Sequence, residues 1–349
     1  MLITSEQVSA GHPDKICDQI SDAIVTDCLQ HDRNSRVAVE CLIKGYDIVI
    51  AGEITSTHQP DFRSLAWHVL LVTGLPDCDQ YRVTSLISQQ SPDIALGVDN
   101  MGAGDQGMMF GYATNENAKM LPMPFVLATQ ALVNLRHLRC PSVLLDSKCQ
   151  VTYDETNGRI DTFLISTQHK DDVDLEEVRR IVQGVMTETA EQYGLNTDYK
   201  ALVNPTGRFV VGGSFADTGV TGRKIIADTY GGACRHGGGA FSGKDPTKVD
   251  RSGAYMARKI AKDVLRAGFA RRCEIQLAYA IGVAEPVSVA VDCLGTNNVP
   301  DSYIVRWIQK NYDLTPAGII SSLGLRDVNY KSVATFGHFW RDWMPWEKE

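Results

Sequence analysis

The stretch RVAVECLIKGYDIVIAGEIT, residues 36–55, is the clearest guide to the fold of this chain. Its two runs rich in β-branched residues, Arg36–Ile43 and Asp47–Thr55, have the composition of strands. The segment Lys44-Gly45-Tyr46 between them supplies a glycine for a turn. The stretch therefore predicts a β-hairpin.

The same order of elements occurs three times along the chain. A helix-like stretch, Lys15–Gln30, precedes the hairpin, and a second one, Asp61–Val72, follows it. The second and third copies are formed by Phe125–Leu138, Cys149–Asp154, Arg159–Thr167 and Asp174–Ala190, and by Ser252–Ala267, Glu274–Gly282, Pro286–Asp292 and Asp301–Tyr312. The residues expected to cap helix N-termini are Asp61, Asp174, Ser252 and Asp301.

Three copies of a helix–hairpin–helix unit predict an α/β (α+β) fold of three similar subdomains, each a small, mostly antiparallel sheet covered by helices. We place the subdomains at residues 1–97, 98–211 and 212–349, and we allow for the exchange of segments between them. A two-stranded hairpin is marginal alone. Each unit is therefore expected to bury its sheet against another unit or a second subunit.

The composition is ordinary for a soluble globular protein, with 349 residues, 44% hydrophobic and 22% charged. No run of 18 apolar residues is present, so we expect no membrane span. The start of the chain, Met1–Glu6, lacks the basic and apolar regions of a signal peptide. Nine scattered cysteines without a CxxC pair predict reduced thiols rather than disulfides or a zinc site. We therefore expect a cytoplasmic protein.

Positive charge is concentrated in one part of the chain. The segment 204–272 holds 13 Lys and Arg against 5 Asp and Glu, a charge of +8, while the rest holds 21 against 37, a charge of −16. The overall charge of −8 argues against a nucleic-acid partner. A basic segment within an acidic protein suggests a site for a compact polyanion, and a solvated basic face is the alternative.

Two long glycine-rich segments, Ser91–Thr114 and Asn204–Asp250, separate the copies. Long irregular segments in compact proteins are usually functional or disordered, and the apolar residues of these two favour the functional interpretation.

A separate motif, Gly11–Lys15, opens the first helix with Pro13 in its first turn. Such a helix start favours an anion, although a simple capped turn would have the same sequence.

The segment Gly238–Asp245 nearly matches the phosphate loop GxxxxGK[ST]. Asp245 stands where that loop needs a hydroxyl, and no good strand precedes it, so a different glycine-rich anion site is the alternative. In Asp217–Lys224, adjacent Arg223 and Lys224 can clamp phosphate oxygens. In Gly102–Gly107, glycines allow close backbone approach and Asp105 supplies an acceptor.

Together these motifs resemble those of S-adenosylmethionine synthetases along nearly the whole chain. The matching stretches, in the family's order, are Thr4-Ser5-Glu6, Gly11–Ile16, Gly102–Gly107, Ser166–His169, Asn204–Phe209, Thr221–Gly232 and Gly237–Asp250.

The resemblance implies a role for individual residues. Contacts to ATP are implied for His12, Asp146, Ser147, Lys148, Arg208, Phe209, Asp217, Arg223, Lys224, Ala240 and Lys244. Catalytic roles fall on His12, Lys148, Arg223, Lys224, Lys244 and Lys248, and methionine contacts on Glu53, Gln90, Asp105, Asp217 and Lys248. The implied metal ligands are Asp14, Asp250 and Glu6 for Mg²⁺, two ions in each site, and Glu40 for K⁺.

The resemblance also implies an activity and an assembly. Methionine sulfur would attack C5′ of ATP, giving S-adenosylmethionine and tripolyphosphate, which is hydrolysed to phosphate and pyrophosphate. The subdomains would be related by a pseudo-threefold axis, and dimers or dimers of dimers would share active sites. The rival interpretations are an ATPase with a phosphate loop and an inactive nucleotide-binding homologue. Only Val98–Met101 separates Gly97 from Gly102, which implies a shortened lid and a more open site.

Overall fold

The computed structural model describes residues 1–90 and 102–348. It shows an α/β fold in which helices pack against three small, mostly antiparallel sheets, and the predicted fold class is confirmed. The shortened segment Val98–Met101, with the lid inferred from it, lies outside the described residues.

The N-terminal sheet contains the hairpin of residues 36–55. Its strands are β2 (Arg36–Lys44), β3 (Asp47–Thr55), β4 (Arg82–Ser88) and β9 (Gly219–Val220), in the order β4-β3-β2-β9. Strand β4 runs parallel to β3, and the other pairs are antiparallel. Helix α1 (Pro13–His31) packs on β2 and β9, and helix α2 (Phe62–Thr73) packs on α1 and β4.

The central sheet has the order β1-β6-β7-β8. Its strands are β1 (Leu2–Val8), β6 (Val143–Asp154), β7 (Arg159–His169) and β8 (Lys200–Val203), and its helices are α3 (Met123–His137) and α4 (Leu175–Gln192). The first strand of the chain is thus hydrogen-bonded to β6, with Val8 opposite Lys148.

The third sheet has the order β11-β10-β5. Its strands are β5 (Gly107–Thr114), β10 (Arg272–Tyr279) and β11 (Ser288–Asp292). Further α-helices in the described residues are the one-turn α5 (Gly213–Ala216) and α6 (Ile225–Asp228), then α7 (Val249–Arg266), α8 (Asp301–Asn311) and α9 (Pro316–Ser322). Helix α7 packs on β5 and β10, and α8 on β11.

Each predicted hairpin is present, and a strand distant in sequence extends each one. Strand β9 joins β2, β1 joins β6, and β5 joins β10. These pairings bring the glycine-rich segments against the sheets that carry the predicted site residues. The boundaries 1–97, 98–211 and 212–349 stay a prediction.

Several local expectations were wrong. Gly107–Thr114 forms strand β5 rather than part of a loop, because it pairs along its whole length with β10. Ser252 lies inside α7, whose N-cap is Lys248, and Asp301 is the first residue of α8 after the N-cap Pro300. In contrast, Asp61 and Asp174 cap their helices as predicted, each accepting a backbone N–H.

Two further expectations can be compared with the structure. All nine cysteines are free thiols, as predicted from their spacing. In the described ranges, none of the helices combines the length and the apolar character that a membrane crossing needs.

Candidate active site

One group of predicted site residues gathers at the start of α1. We call it the His12 cluster, and it consists of His12, Asp14, Asp146, Lys148, Asp217 and Lys224. His12 is the N-cap of α1, strand β6 carries Asp146 and Lys148, and the glycine-rich segment around β9 carries Asp217 and Lys224. Three separate parts of the chain thus meet at one helix N-terminus.

His12 is a neutral imidazole. Its Nδ1 accepts a hydrogen bond from the backbone N–H of Asp14 at 3.2 Å, and the side chain is buried. Burial, reinforced by the charge of Lys224, lowers the pKa of His12 to about 4. The ring proton therefore resides on Nε2, where it can be donated to an acceptor without a change of charge.

Asp14 is an ionised carboxylate held from two sides. Its Oδ1 accepts from the backbone N–H of Val220 at 2.9 Å, and its Oδ2 from Lys224 Nζ at 2.5 Å. Burial acts to raise its pKa, but the bonds from Lys224 and Val220 hold the pKa of Asp14 below its ordinary value. This carboxylate can bind a hard cation, and the ammonium group of Lys224 now occupies that side of it.

The three neighbours Asp146, Ser147 and Lys148 differ in orientation. Burial raises the pKa of Asp146, whose Oδ2 accepts from the backbone N–H of Gly213 at 2.9 Å. The Ser147 hydroxyl is buried against Thr167 Oγ1 at 2.6 Å, and its backbone N–H and carbonyl are both bonded to Ser9. Lys148 is exposed.

Glu6 and the pair Arg208–Phe209 lie outside these contacts. Glu6 is exposed on β1, opposite Gln150. The backbone of Phe209 is bonded to His169 through its N–H and its carbonyl, which fixes this residue beside the end of β7. Arg208 forms a surface ion pair with Asp171 at 2.6 Å and does not point at the cluster. Arg223 is exposed, and its guanidinium lies 3.4 Å from the carbonyl of Thr218.

A second group lines a cleft of about 480 Å³, which we call the Lys244 cleft. Its predicted site residues are Glu53, Gln90, Asp105, Lys244, Lys248 and Asp250. Lys244 Nζ lies 2.7 Å from Asp250 Oδ2, so a lysine again rests on a predicted magnesium carboxylate. Among the described residues, the buried Gln90 Oε1 and Thr247 Oγ1 have no hydrogen-bond partner, as expected where a polar ligand binds.

A neighbouring cleft of about 400 Å³ contains Glu40 and Ala240, and we call it the Glu40 cleft. It shares Glu53 and Lys244 with the Lys244 cleft. Ser242 also lines it, and within the described chain its buried hydroxyl lacks a hydrogen-bond partner. A carboxylate beside an unsatisfied hydroxyl oxygen is a donor set that suits an alkali cation.

Asp245 rules out a true phosphate loop. Its carboxylate is fully buried and accepts from the backbone N–H groups of Val37 at 2.7 Å and Thr247 at 2.9 Å, and from Lys248 at 2.5 Å. It therefore anchors the segment to β2 instead of facing a ligand. The next helix, α7, begins only at Val249.

The structure shows two supporting residues that the sequence analysis missed, Asp18 and Asp22, in line with Asp14 on α1. Asp14, Asp18 and Asp22 recur every four residues along α1 and so lie on one helix face. Asp18 accepts from the backbone N–H of Gly222 at 2.8 Å, and Asp22 from that of Gly243 at 2.9 Å. We call the three residues the aspartate row. The four-residue spacing of these aspartates could be noticed in the sequence. Their hydrogen-bond partners could not, because they lie about 200 residues away along the chain.

Much of the basic segment serves the fold. Arg251, Arg258 and Lys262 are buried in ion pairs with Asp22 or Glu347. These three cations of the +8 segment therefore stabilise the core and do not face a ligand, while the polyanion site stays a prediction. Four cations of this segment, Arg223, Lys224, Lys244 and Lys248, lie in or next to the His12 cluster and the Lys244 cleft, and Lys148 of β6 adds another.

Comparison with known proteins gives one consistent result. Family models described as the N-terminal, central and C-terminal domains of S-adenosylmethionine synthetase match residues 1–92, 100–209 and 211–348. A protein named S-adenosylmethionine synthase from Mesoplasma florum is 46% identical over 365 aligned residues, covering 99% of this chain and 97% of the relative. One of the same name from Treponema denticola is 47% identical over 372, covering 99% and 95%. The chain therefore belongs to the S-adenosylmethionine synthetase family.

Proposed function

We propose that this protein is an S-adenosylmethionine synthase that also cleaves its own by-product. The sulfur lone pair of methionine forms a bond to C5′ of ATP, the C5′–O bond breaks, and tripolyphosphate leaves with the electron pair. Water then splits tripolyphosphate into phosphate and pyrophosphate. One observation supports this most directly: two of the three predicted magnesium carboxylates, Asp14 and Asp250, are each paired with a predicted triphosphate lysine, Lys224 and Lys244 respectively.

The chemistry explains why the site is rich in cations rather than bases. A thioether sulfur has no proton to lose, so a general base would not help it. The barrier falls through alignment of sulfur with C5′ and stabilisation of the departing triphosphate. That group carries about four negative charges near neutral pH, which calls for lysine, arginine and metal ions.

We assign the triphosphate to the His12 cluster and the Lys244 cleft together. His12 would donate its Nε2 proton in a hydrogen bond to a phosphate oxygen, and its low pKa keeps that donor neutral throughout the physiological range. Lys148, exposed beside Asp146, would contact ATP nearest the transfer. Gln90 and Asp105 would hold methionine with Glu53, since Gln90 Oε1 lacks a partner among the described residues. Phe209 would stack near adenine.

Magnesium fits the carboxylates of Asp14 and Asp250. Both offer hard oxygen ligands, and each already has a cation beside it. When bound, magnesium neutralises the triphosphate. Lys224 and Lys244 would then exchange their carboxylate partners for phosphate oxygens. Glu6, which is exposed on strand β1 of the central sheet, remains a further candidate ligand for magnesium.

Potassium fits the Glu40 cleft. The Glu40 carboxylate and the unpartnered Ser242 hydroxyl provide oxygen ligands there, within the part of the chain described. The cleft shares Lys244 with the presumed triphosphate site. A bound monovalent cation would order the residues that line the Glu40 cleft and would take no part in bond formation.

We further propose that two subunits share each active site, in a cytoplasmic dimer or dimer of dimers. Among the described residues, no hydrogen bond or ion pair links the His12 cluster to the Lys244 cleft. The N-terminal sheet also leaves apolar side chains exposed, Leu42 on β2 and Leu86 on β4. A second copy covering that face would bury them and supply the missing half of each site.

The test is incubation of the protein with ATP, methionine, Mg²⁺ and K⁺, followed by mass detection of S-adenosylmethionine and assay of phosphate and pyrophosphate. The expected result is all three products, each dependent on methionine. Phosphate released equally without methionine would indicate an ATPase. Absence of every product, in protein shown to be folded, would indicate an inactive homologue.

A further inference from the structure

A cluster of metal-ligating side chains lies at the opposite end of α1 from His12. It consists of Asp27 and His31 on the last turns of the helix and His58 just after β3. The helix spans about 27 Å between its ends, at ~1.5 Å per residue. We propose that these three residues form a second metal site, which binds a divalent transition-metal ion of the zinc type and is separate from the magnesium and potassium sites.

The three side chains already converge. One ligand atom from each lies within 4.8 Å of those of the other two. Asp27 occupies the middle: its Oδ2 is 2.7 Å from His58 Nε2, and its Oδ1 is 3.6 Å from His31 Nδ1. Ligand atoms around a tetrahedral zinc ion lie ~3.3 Å apart, given bonds of ~2.0–2.2 Å. Small side-chain rotations therefore suffice to place all three around one ion.

The rings and the helix spacing support the same geometry. The imidazoles of His31 and His58 stack with centroids 4.0 Å apart and planes 14° apart, and a nitrogen of each ring lies within 3.6 Å of an Asp27 carboxylate oxygen. Asp27 and His31 are four residues apart and thus lie on one helix face. The side-chain exposures of Asp27, His31 and His58 are 21%, 55% and 26%, which leaves the ion a path from solvent and room for a water ligand.

The loop that carries His58 is fixed to the end of α1. Asp32, the C-cap of α1, accepts from the backbone N–H of Thr57 at 2.9 Å. The Ser56 hydroxyl pairs with that of Ser35 at 2.7 Å and accepts from the backbone N–H of His58 at 3.0 Å. Bonds of this kind orient a ligand before the metal arrives and lower the cost of binding.

The donor set selects the class of metal. Two imidazole nitrogens and one carboxylate oxygen suit Zn²⁺, Co²⁺, Ni²⁺ and Cu²⁺, whereas Mg²⁺ prefers oxygen ligands and retains water. Because His58 Nε2 now lies against the Asp27 carboxylate, metal binding at that nitrogen requires the ring tautomer with its proton on Nδ1. A bound ion would tie the C-terminal end of α1 to the loop after β3 and stabilise that edge of the N-terminal sheet.

The test uses chelator-treated protein in saturating Mg²⁺, which occupies the magnesium sites. Zn²⁺ is titrated calorimetrically, and Co²⁺ is followed by its ligand-field absorption, which reports tetrahedral nitrogen and oxygen coordination. The variants are H31Q and H58Q, with H68Q as control, because His68 is an exposed helix histidine outside the cluster. Circular dichroism verifies that each variant is folded.

We expect one Zn²⁺ per chain in the parent and in H68Q. H31Q and H58Q should each bind at least ~10-fold more weakly, since even the loss of an outer-shell partner costs ~10–100-fold. The Co²⁺ spectrum should be lost in both. Zinc binding that is absent in the parent, or equal in all four proteins, would overturn the proposal.

Discussion

Arg251 Nη2 donates to both carboxylate oxygens of Asp22, at 2.7 and 2.6 Å, and neither side chain is exposed to solvent. Asp22 Oδ1 also accepts from the backbone N–H of Gly243, the residue before Lys244. A buried ion pair of the core is thus one hydrogen bond away from a lysine of the presumed active site. Fold stability and site geometry depend here on the same carboxylate.

The first prediction concerns this pair. D22N leaves the Arg251 guanidinium buried beside a neutral amide, and breaking a buried pair costs about 3–5 kcal/mol. We expect the free energy of unfolding in urea to fall by about that amount. The control is D47N, which removes the partner of Arg82 in an exposed pair and should cost under about 1 kcal/mol. Equal urea midpoints for D22N and the parent would contradict the role of Asp22.

The second prediction separates two neighbouring lysines. K244A should lower synthesis by about 10²–10³-fold and leave stability intact, as loss of a contact to a developing anion does. K248A should lower activity too. It should also lower the free energy of unfolding by about 1–3 kcal/mol, because the fully buried Asp245 then loses a hydrogen bond. Product formation and urea unfolding are measured on both, with K310A as the surface control, because Lys310 is exposed on α8. Near-normal activity in K244A and K248A would remove their assignment to the triphosphate.

The third prediction concerns the monovalent cation. E40Q should lose activation by K⁺ yet keep some magnesium-dependent activity, because the oxygen ligand loses its charge while the triphosphate cations remain. Rates are measured over a range of K⁺ at fixed Mg²⁺. E53Q is the matched control, since Glu53 lines the same cleft but is assigned to methionine. That variant should change the KM for methionine and keep its K⁺ response. An unaltered K⁺ response in E40Q would refute the role of Glu40.

The fourth prediction is a pH dependence of stability. Burial holds the pKa of His338 well below its ordinary value, and its Nδ1 is paired with the Tyr255 hydroxyl at 2.7 Å. The unfolded chain takes up this proton near pH 6.5 while the folded chain does not, so stability is lost as pH falls below that value. Between about pH 7.5 and 5.5 this residue alone should cost about 1.4 kcal/mol. H338Q should show a correspondingly flatter dependence in urea unfolding, and an unchanged slope would contradict a neutral His338.

Local patterns predicted the hairpins and most of the helices because those depend on residues close in sequence. Apart from the helix caps expected at Ser252 and Asp301, what was missed involves distant partners. Gly107–Thr114 is a strand because it pairs with β10, and Gly111 lets the backbone of α7 approach: a Cβ there would lie 2.0 Å from the carbonyl carbon of Ala257. The bonds of Asp18 and Asp22 to glycine N–H groups likewise join residues about 200 positions apart. Residue types suggested the anion site. Only the fold shows which lysines and arginines are buried in ion pairs of the core and so cannot contact a ligand.

The last prediction tests whether subunits share an active site, and it rests on the separation of the His12 cluster from the Lys244 cleft. K224A damages the first and K244A the second, so each variant alone should be nearly inactive.

In a mixed dimer with shared sites, one site carries both changes and the other carries neither. Random pairing of coexpressed, differently tagged chains should then restore about a quarter of the parent activity, since half of the dimers are mixed and half of their sites are intact. S-adenosylmethionine formation is measured on the mixture and on the purified mixed dimer. Coexpression of K244A with K248A is the control and should restore nothing, because both changes lie in the same cleft. If each chain holds a complete site, the K224A and K244A mixture will be as inactive as its parts, whatever the oligomeric state.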